Sequence, residues 1–229
     1  MKGPAMEYSS VVTGKFISRP NRFIANVELD GAPVVCHVKN TGRCRELLVP
    51  GAAVVLSRAE NPARRTAFDL IAVHKGGRLI NIDSQAPNKL AAEYLPSLFP
   101  GSSLRPECVF GASRLDFRVD TPAGPAYVEV KGVTLESGGH AMFPDAPTQR
   151  GTRHLHELMS ANAQGFGAYL LFVAQFDGCL DVSPNDATDP AFGLALRQAK
   201  AAGVGLLAVS CRVSDSSMTP ANPVPVLLP

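Results

Sequence analysis

From residue 8 to residue 82, short β-prone runs are broken by turn residues, and in one of them apolar and polar positions alternate. Phe23, Ala25, Val27 and Leu29 are interleaved with Arg22, Ile24, Asn26 and Glu28, the spacing of a half-buried strand. Short β-prone runs at 11–17, 22–29, 33–38, 53–58, 66–74 and 78–82 are separated by turn residues such as Asp30-Gly31. One helical piece is predicted over 43–48, stopped by Pro50-Gly51. Five or six antiparallel strands with a single short helix predict a small OB-like β-barrel.

Beyond residue 82 the pattern changes. Helices are predicted over 88–98 and 152–163 and strands over 107–119, 127–131, 168–174 and 204–211. A further helix opens at Asp189-Pro190 and stops at Gly203. Alternating strands and helices predict an α/β unit, which divides the chain into residues 1–84 and 85–229. The Ser- and Pro-rich tail after Ser214 is expected to pack as irregular chain.

The turn-rich segment 121–125 lies between two β-prone runs and predicts a hairpin. Centred between Pro122 and Ala123, it sets Arg114 opposite Lys131, Asp116 opposite Glu129 and Arg118 opposite Tyr127. Leu115, Phe117 and Val119 then share the other face with Ala126, Val128 and Val130. Burial of that apolar face fixes the parity, because a one-residue slip would mix the two sets.

The longest apolar run, 168–174, is far short of the roughly 20 residues of a membrane helix, and the first residues hold no signal-like apolar segment. A cytoplasmic protein with no membrane partner is therefore expected. Five scattered cysteines without a CxxC suggest core residues rather than disulfides or a zinc ribbon. Charge adds an asymmetry. Residues 1–82 carry 12 Lys and Arg against 6 Asp and Glu, a net of +6, and the remainder carries 10 against 14, a net of −4. A basic barrel could meet a polyanion through Arg19, Arg22, Lys39, Arg43, Arg45, Arg64 and Arg65, or could simply be a solvated surface.

Opposite residues of an antiparallel pair have Cβ atoms about 5 Å apart. Asp116 and Glu129 would therefore repel unless one is protonated or a cation joins them. Hard oxygen ligands select Mg²⁺, Mn²⁺ or Ca²⁺. Lys131, two residues beyond Glu129, points to the same face and could orient water or offset developing charge in phosphodiester hydrolysis. The alternative is a surface hairpin with cross-strand pairs Asp116–Lys131 and Arg114–Glu129. Further on, Arg150, Arg153 and His154 begin a helix. Arg150 and His154 at i, i+4 form one face that could meet a phosphate, whereas Arg153 and Glu157 could be a surface pair. No GxSxG, P-loop or GxGxxG occurs.

Five segments, RPNRF (19–23), HVKNTGRCRELL (37–48), SRLDF (113–117), VEVKGVTL (128–135) and FPDAPTQRGTRHLHEL (143–158), resemble the sugar fermentation stimulation protein (SfsA) family. The resemblance extends from about residue 8 to 225. It implies an N-terminal OB-like barrel joined to a C-terminal restriction-endonuclease-like PD-(D/E)xK α/β domain. It also implies a DNA-binding protein with a regulatory link to sugar (maltose) metabolism. Carried onto matching positions, the nuclease pattern makes Asp116, Glu129 and the Val130 carbonyl ligands of Mg²⁺ or Mn²⁺, with Lys131 positioning water and Glu107 a further candidate ligand. The basic residues Arg19, Arg22, Lys39, Arg43, Arg45, Arg114, Arg150 and His154 are then the expected contacts to DNA, or to RNA or single-stranded nucleic acid. A non-catalytic DNA-binding regulator remains the rival expectation, because fold does not determine activity. Oligomeric state leaves no mark in the sequence.

Overall fold

A computed structural model describes residues 6–229 apart from Thr41, Glu60 and Pro62. A two-residue strand, β1 (Met6–Glu7), precedes the β-prone runs. Those runs form β2 (Val11–Asn21), β3 (Ile24–Leu29), β4 (Ala32–Val38), β5 (Ala53–Arg58), β6 (Phe68–Lys75) and β7 (Arg78–Asn81). Pairing runs β4-β3-β2-β5-β6, and β4 also pairs with β6, so five strands close into a barrel while β7 extends from β6 as a hairpin. The closing β4–β6 pair is parallel, whereas the expectation was wholly antiparallel. Phe16, Ala25, Val27, Cys36, Val38, Val54, Leu56 and Leu70 fill the interior. Their period-two spacing is what sends them to one side of the sheet.

Segment 43–48 does not form the expected helix. It makes a turn, in which Leu47 and Leu48 donate to the Cys44 carbonyl (3.2 and 2.9 Å) and Cys44 has a φ of 45°. Burial of Cys44, Leu47 and Leu48 in the barrel core outweighs the helical composition of this stretch.

The remaining elements are α1 (Ala86–Leu98), β8 (Ser103–Phe110), β9 (Ser113–Thr121), β10 (Gly124–Val133), β11 (Leu135–Ser137), β12 (His140–Phe143), α2 (Gln149–Ala163), β13 (Gly167–Ala174), β14 (Asp181–Pro184), α3 (Pro190–Ala201), β15 (Gly205–Ser214) and β16 (Ser217–Pro223). A seven-stranded sheet has the order β1-β16-β15-β13-β10-β9-β8. Its centre, β10-β13-β15, is parallel. The predicted strand over 107–119 is two strands, because the chain turns back at Gly111 (φ 56°). The tail after Ser214 is ordered as β16 against β15, not irregular. Strand β1, placed with the barrel by sequence, instead pairs with β16.

One face of this sheet is covered by α1, whose Ala86, Leu90, Ala91 and Leu95 pack on Phe117, Val119, Val128, Val130, Leu171 and Val173. The other face is covered by α2 and α3. Leu155, Leu158, Ala161, Phe192, Leu196 and Ala199 pack there on Leu170, Phe172 and Ala174. Asp189 organises both helix starts. Its carboxylate caps α3 by accepting from Phe192 N (3.0 Å) and also accepts from Thr148 N (2.7 Å), while the Thr148 side chain caps α2.

The barrel core continues into the core beneath α2 and α3 through Ile80, Ile82 and Phe176. Gln175 donates to the Asn81 side chain (3.1 Å) and the Asp83 carbonyl (3.2 Å). Lys75 and Arg78 of the barrel both reach the buried Glu136 of β11. Among the described residues no helix is long and apolar enough to cross a membrane.

Candidate active site

The predicted hairpin register is observed near the turn, with Tyr127 opposite Arg118, Ala126 opposite Val119 and Val128 opposite Phe117, but the expected pairs Asp116–Glu129 and Arg114–Lys131 are not part of the ladder. Past Phe117 the ladder ends, and Leu115 packs in the core under α2 rather than beside Phe117. In the opening between β9 and β10, Asp116 Oδ2 accepts from Val130 N (2.8 Å) and Oδ1 accepts from Asn88 Nδ2 of α1 (2.8 Å). Asn88 had no sequence signal beyond its place in a predicted helix.

Glu129 is only 2% exposed. Its Oε1 is shared by Lys131 Nζ (2.5 Å) and His154 Nδ1, and its Oε2 is buried without a protein partner. The expected alternative pairs, Asp116–Lys131 and Arg114–Glu129, are not made. His154 reaches Glu129 because it lies on the sheet-facing stripe of α2 with Gly151, Leu155, Leu158 and Ala161. Arg150 Nε donates to His154 Nε2 (3.4 Å), so the ring has Nδ1–H toward Glu129 and Nε2 as acceptor. Sequence reasoning placed His154 with Arg150 on one face. The buried stripe that turns it toward Glu129 was legible in the same residues.

The two carboxylates are pushed in opposite directions. Burial and then the neighbouring Glu129 charge raise Asp116 above its ordinary value, against the Val130 N–H, Lys131 and Asn88. Burial also works against ionised Glu129, but the His154 hydrogen bond and Lys131 outweigh it and hold the carboxyl low. An ionised Glu129 beside an Asp116 whose charge is disfavoured, with one oxygen of Glu129 unpartnered, is a site that a hard divalent cation fits.

The other predicted residues separate into groups. Glu107 stands opposite Asp116 in register, but a φ of 54° interrupts the ladder there, and its carboxylate meets Arg114 at 3.4 Å in solvent. Arg19 donates to the carbonyls of Arg22, Asn40, Gly42 and Arg43 and so holds the barrel loops together. Lys39 lies 3.0 Å from Asp69 and 3.6 Å from Asp83, and Arg64 forks onto Asp69. The Lys39 ammonium is thereby occupied inside the protein, because Asp69 and Asp83, distant in sequence, converge on it. Arg22, Arg43 and Arg45 are exposed and line a cleft of about 680 Å³ with Ala146 and Pro147. Arg153 and Glu157 do not pair. Glu157 instead accepts from Ala112 N (3.1 Å).

Two family models match successive stretches of the chain. Residues 17–82 match the SfsA N-terminal OB domain and residues 85–217 the sugar fermentation stimulation protein RE domain. A sugar fermentation stimulation protein homolog of Desulfitobacterium hafniense (strain Y51) is 49% identical over 225 residues, covering 97% of this chain and 99% of the relative. A homolog from Clostridium beijerinckii is 47% identical over 226 residues, covering 97% and 100%. The solved structure of Pyrococcus furiosus SfsA in complex with Ca²⁺ superposes with a TM-score of 0.89 at 26% identity, covering 97% of this chain and 98% of that one. An OB barrel joined to a restriction-endonuclease-like α/β domain, matched along nearly the whole chain, places this protein in the sugar fermentation stimulation protein family.

Proposed function

We propose that the protein is a divalent-cation-dependent nuclease that hydrolyses phosphodiester bonds of DNA or RNA. The observation that carries this reading is Glu129, a nearly inaccessible carboxylate with one unpartnered oxygen beside a second carboxylate, Asp116, whose charge is disfavoured. Asp116, Glu129 and the Val130 carbonyl would hold Mg²⁺ or Mn²⁺. The Ca²⁺ of the Pyrococcus furiosus relative is a cation of the same hard, oxygen-preferring kind. Such a cation polarises a phosphoryl oxygen and lowers the pKa of bound water.

The protein's own groups supply orientation and charge. Lys131, held by Glu129 and 3.4 Å from His154 Nδ1, brings an ammonium group to the reacting face, where it can orient water and offset charge on the phosphorane. Arg150, at the first turn of α2, can meet a phosphate while it steadies the His154 ring. The exposed Arg22, Arg43 and Arg45 hold the nucleic acid by its backbone, so binding weakens with salt and reads little sequence. The absence of a membrane-spanning helix and five free cysteines among the described residues fit a cytoplasmic setting.

A second reading is a DNA-binding regulator without cleavage, and one observation favours the lack of cleavage. Among the described residues no three His, Cys, Asp or Glu side chains converge as a ready-made metal cluster. Incubation of labelled DNA and RNA with Mg²⁺, Mn²⁺ or EDTA, using wild type, Glu129→Ala and Lys131→Ala, separates the two. Cleavage that requires metal and is lost in both variants is expected. Binding without cleavage under every condition would leave the regulator.

A further inference from the structure

We propose that the space between the barrel and segment 143–148 takes a single unpaired strand of nucleic acid and leads it to the Asp116–Glu129 site, so that the substrate is a single strand or the unpaired end of a duplex. The proposal rests on the nuclease reading above and adds the form of its substrate.

Two adjoining cavities share Gly42, Ala146 and Pro147. The inner one, about 300 Å³, includes Pro87 and Gly132, the chain neighbours of Asn88 and Lys131, and is otherwise mostly polar, with Asn40, Ser84, Thr148 and Gln175 in its wall. That volume lies at the lower end of small-ligand pockets, ~300–1,000 Å³. It has room for about one nucleotide and none for a base pair. The outer cavity, about 680 Å³, carries Arg22, Arg43 and Arg45. None of these three has a carboxylate within salt-bridge distance among the described residues. Asp145 is the acidic group in the inner wall, and its Oδ2 is engaged by Arg43 N (3.2 Å).

The outer cavity also presents apolar surface. Ile17 in its wall is 41% exposed, and at its rim Phe23, the chain neighbour of the lining residue Arg22 though not itself in the wall, is 51% exposed. Arginines for phosphates interleaved with apolar and aromatic surface for base faces are how OB folds hold single strands, and a fully paired duplex has no free base faces to offer. A strand laid across Ala146 and Pro147 fills both cavities, with one nucleotide against Pro87 and Gly132, one residue along the chain from Asn88 and Lys131, and the next nucleotides on the barrel. The barrel loop pins the floor of this path. A Cβ on Gly42 would lie 2.6 Å from Asp145 Oδ2, so the two segments touch there.

The test is fluorescence anisotropy in EDTA with fluorescein-labelled single-stranded DNA, single-stranded RNA of the same sequence and a blunt hairpin duplex. Strands of roughly 12 nucleotides lie within the site sizes of OB folds. At least one single strand should bind ten-fold or more tighter than the duplex, and the DNA and RNA arms identify which. Arg43→Glu with Arg45→Glu should weaken that binding at least ten-fold, and Phe23→Ala at least three-fold, with melting temperatures unchanged. If the double variant melts early, Arg22→Glu replaces it. Duplex bound as tightly as both single strands, or charge reversal without effect, overturns the proposal. Because no cleavage occurs in EDTA, a failure of the nuclease reading would appear separately, as inactivity with Mg²⁺ and Mn²⁺ despite intact single-strand binding.

Discussion

Asp69 is 4% exposed in β6 and receives Arg64 through both oxygens, with Lys39 at 3.0 Å and His37 at 3.2 Å. Burial pushes its carboxyl up, but the hydrogen bonds and charges of Arg64 and Lys39 prevail and bring it to about 2, from an ordinary 3.8. A carboxyl whose folded pKa is depressed stabilises the fold above its unfolded pKa and loses that contribution as pH falls through the folded value. The difference corresponds to about 2 kcal/mol at neutral pH, of which about 1 kcal/mol remains at pH 3. Asp69→Asn keeps the shape and one acceptor but removes the charge. At about 2–4 °C per kcal/mol for a chain of this size, it should lower the melting temperature by roughly 4–8 °C at pH 7. Thermal melts followed by circular dichroism at pH 7, 5, 4 and 3 would check this. The gap between wild type and variant should hold steady from pH 7 to 5 and narrow by about 1 kcal/mol by pH 3. A gap that is absent at pH 7, or that persists unchanged to pH 3, would refute the account of Lys39 and Arg64 as internal partners.

Other outcomes follow from the same geometry. Gly132→Ala would set a Cβ 2.3 Å from Gln175 Oε1 and 2.6 Å from the Pro87 ring. An overpacking cost of about 1–3 kcal/mol should appear as a lower melting temperature in differential scanning calorimetry. Millimolar Mn²⁺ should raise the melting temperature of wild type and leave Glu129→Gln unmoved, and an equal rise in both would place the cation elsewhere. Glu136 is opposed by burial, but the Gly139 N–H, Arg78 and Lys75 hold its carboxyl below the usual range. Glu136→Gln should therefore destabilise by about 1 kcal/mol at neutral pH, in urea titrations, with the loss closing as acid protonates the wild-type residue. If Arg22, Arg43 and Arg45 each meet one phosphate of a single strand, the slope of log affinity against log salt should be about −2 and should fall by about 0.7 for each arginine removed.

What was legible in the sequence was local pattern with one consistent reading. The period of two in 24–29, the apolar face of 117–130 and the Asp189-Pro190 helix start each appear where expected, because each is set by burial of one face or by a cap, whereas Phe23 lies exposed in the turn before β3 and Leu115 joins the core under α2. Segment 43–48 went the other way, since its Cys44 and Leu47 fill the barrel core instead of continuing a helix. The Pro-containing β16 reads as loop by composition, and its pairing depends on β15 and a register irregularity between Val209 and Cys211. The carboxylate pair and Lys131 were visible from hairpin parity. The engagement of Lys39 by Asp69 and of Arg19 by four carbonyls was not, because those partners lie up to 44 residues away and no local pattern announces them.

The pairing of β1 with β16 has a consequence for how the chain is assembled. Met6 sits opposite Met218, with the entire barrel and nearly all of the second sheet between them in sequence. Strand β1 therefore stays without its partner until β16, Ser217–Pro223, has been made. Contacts of such separation form slowly, and an uncovered strand edge invites pairing with other chains. The barrel's strands pair with near neighbours in the chain, whereas β1 docks on a strand from the far end of the second sheet, so this one pairing ties the segment before the barrel to the last strand of the other unit.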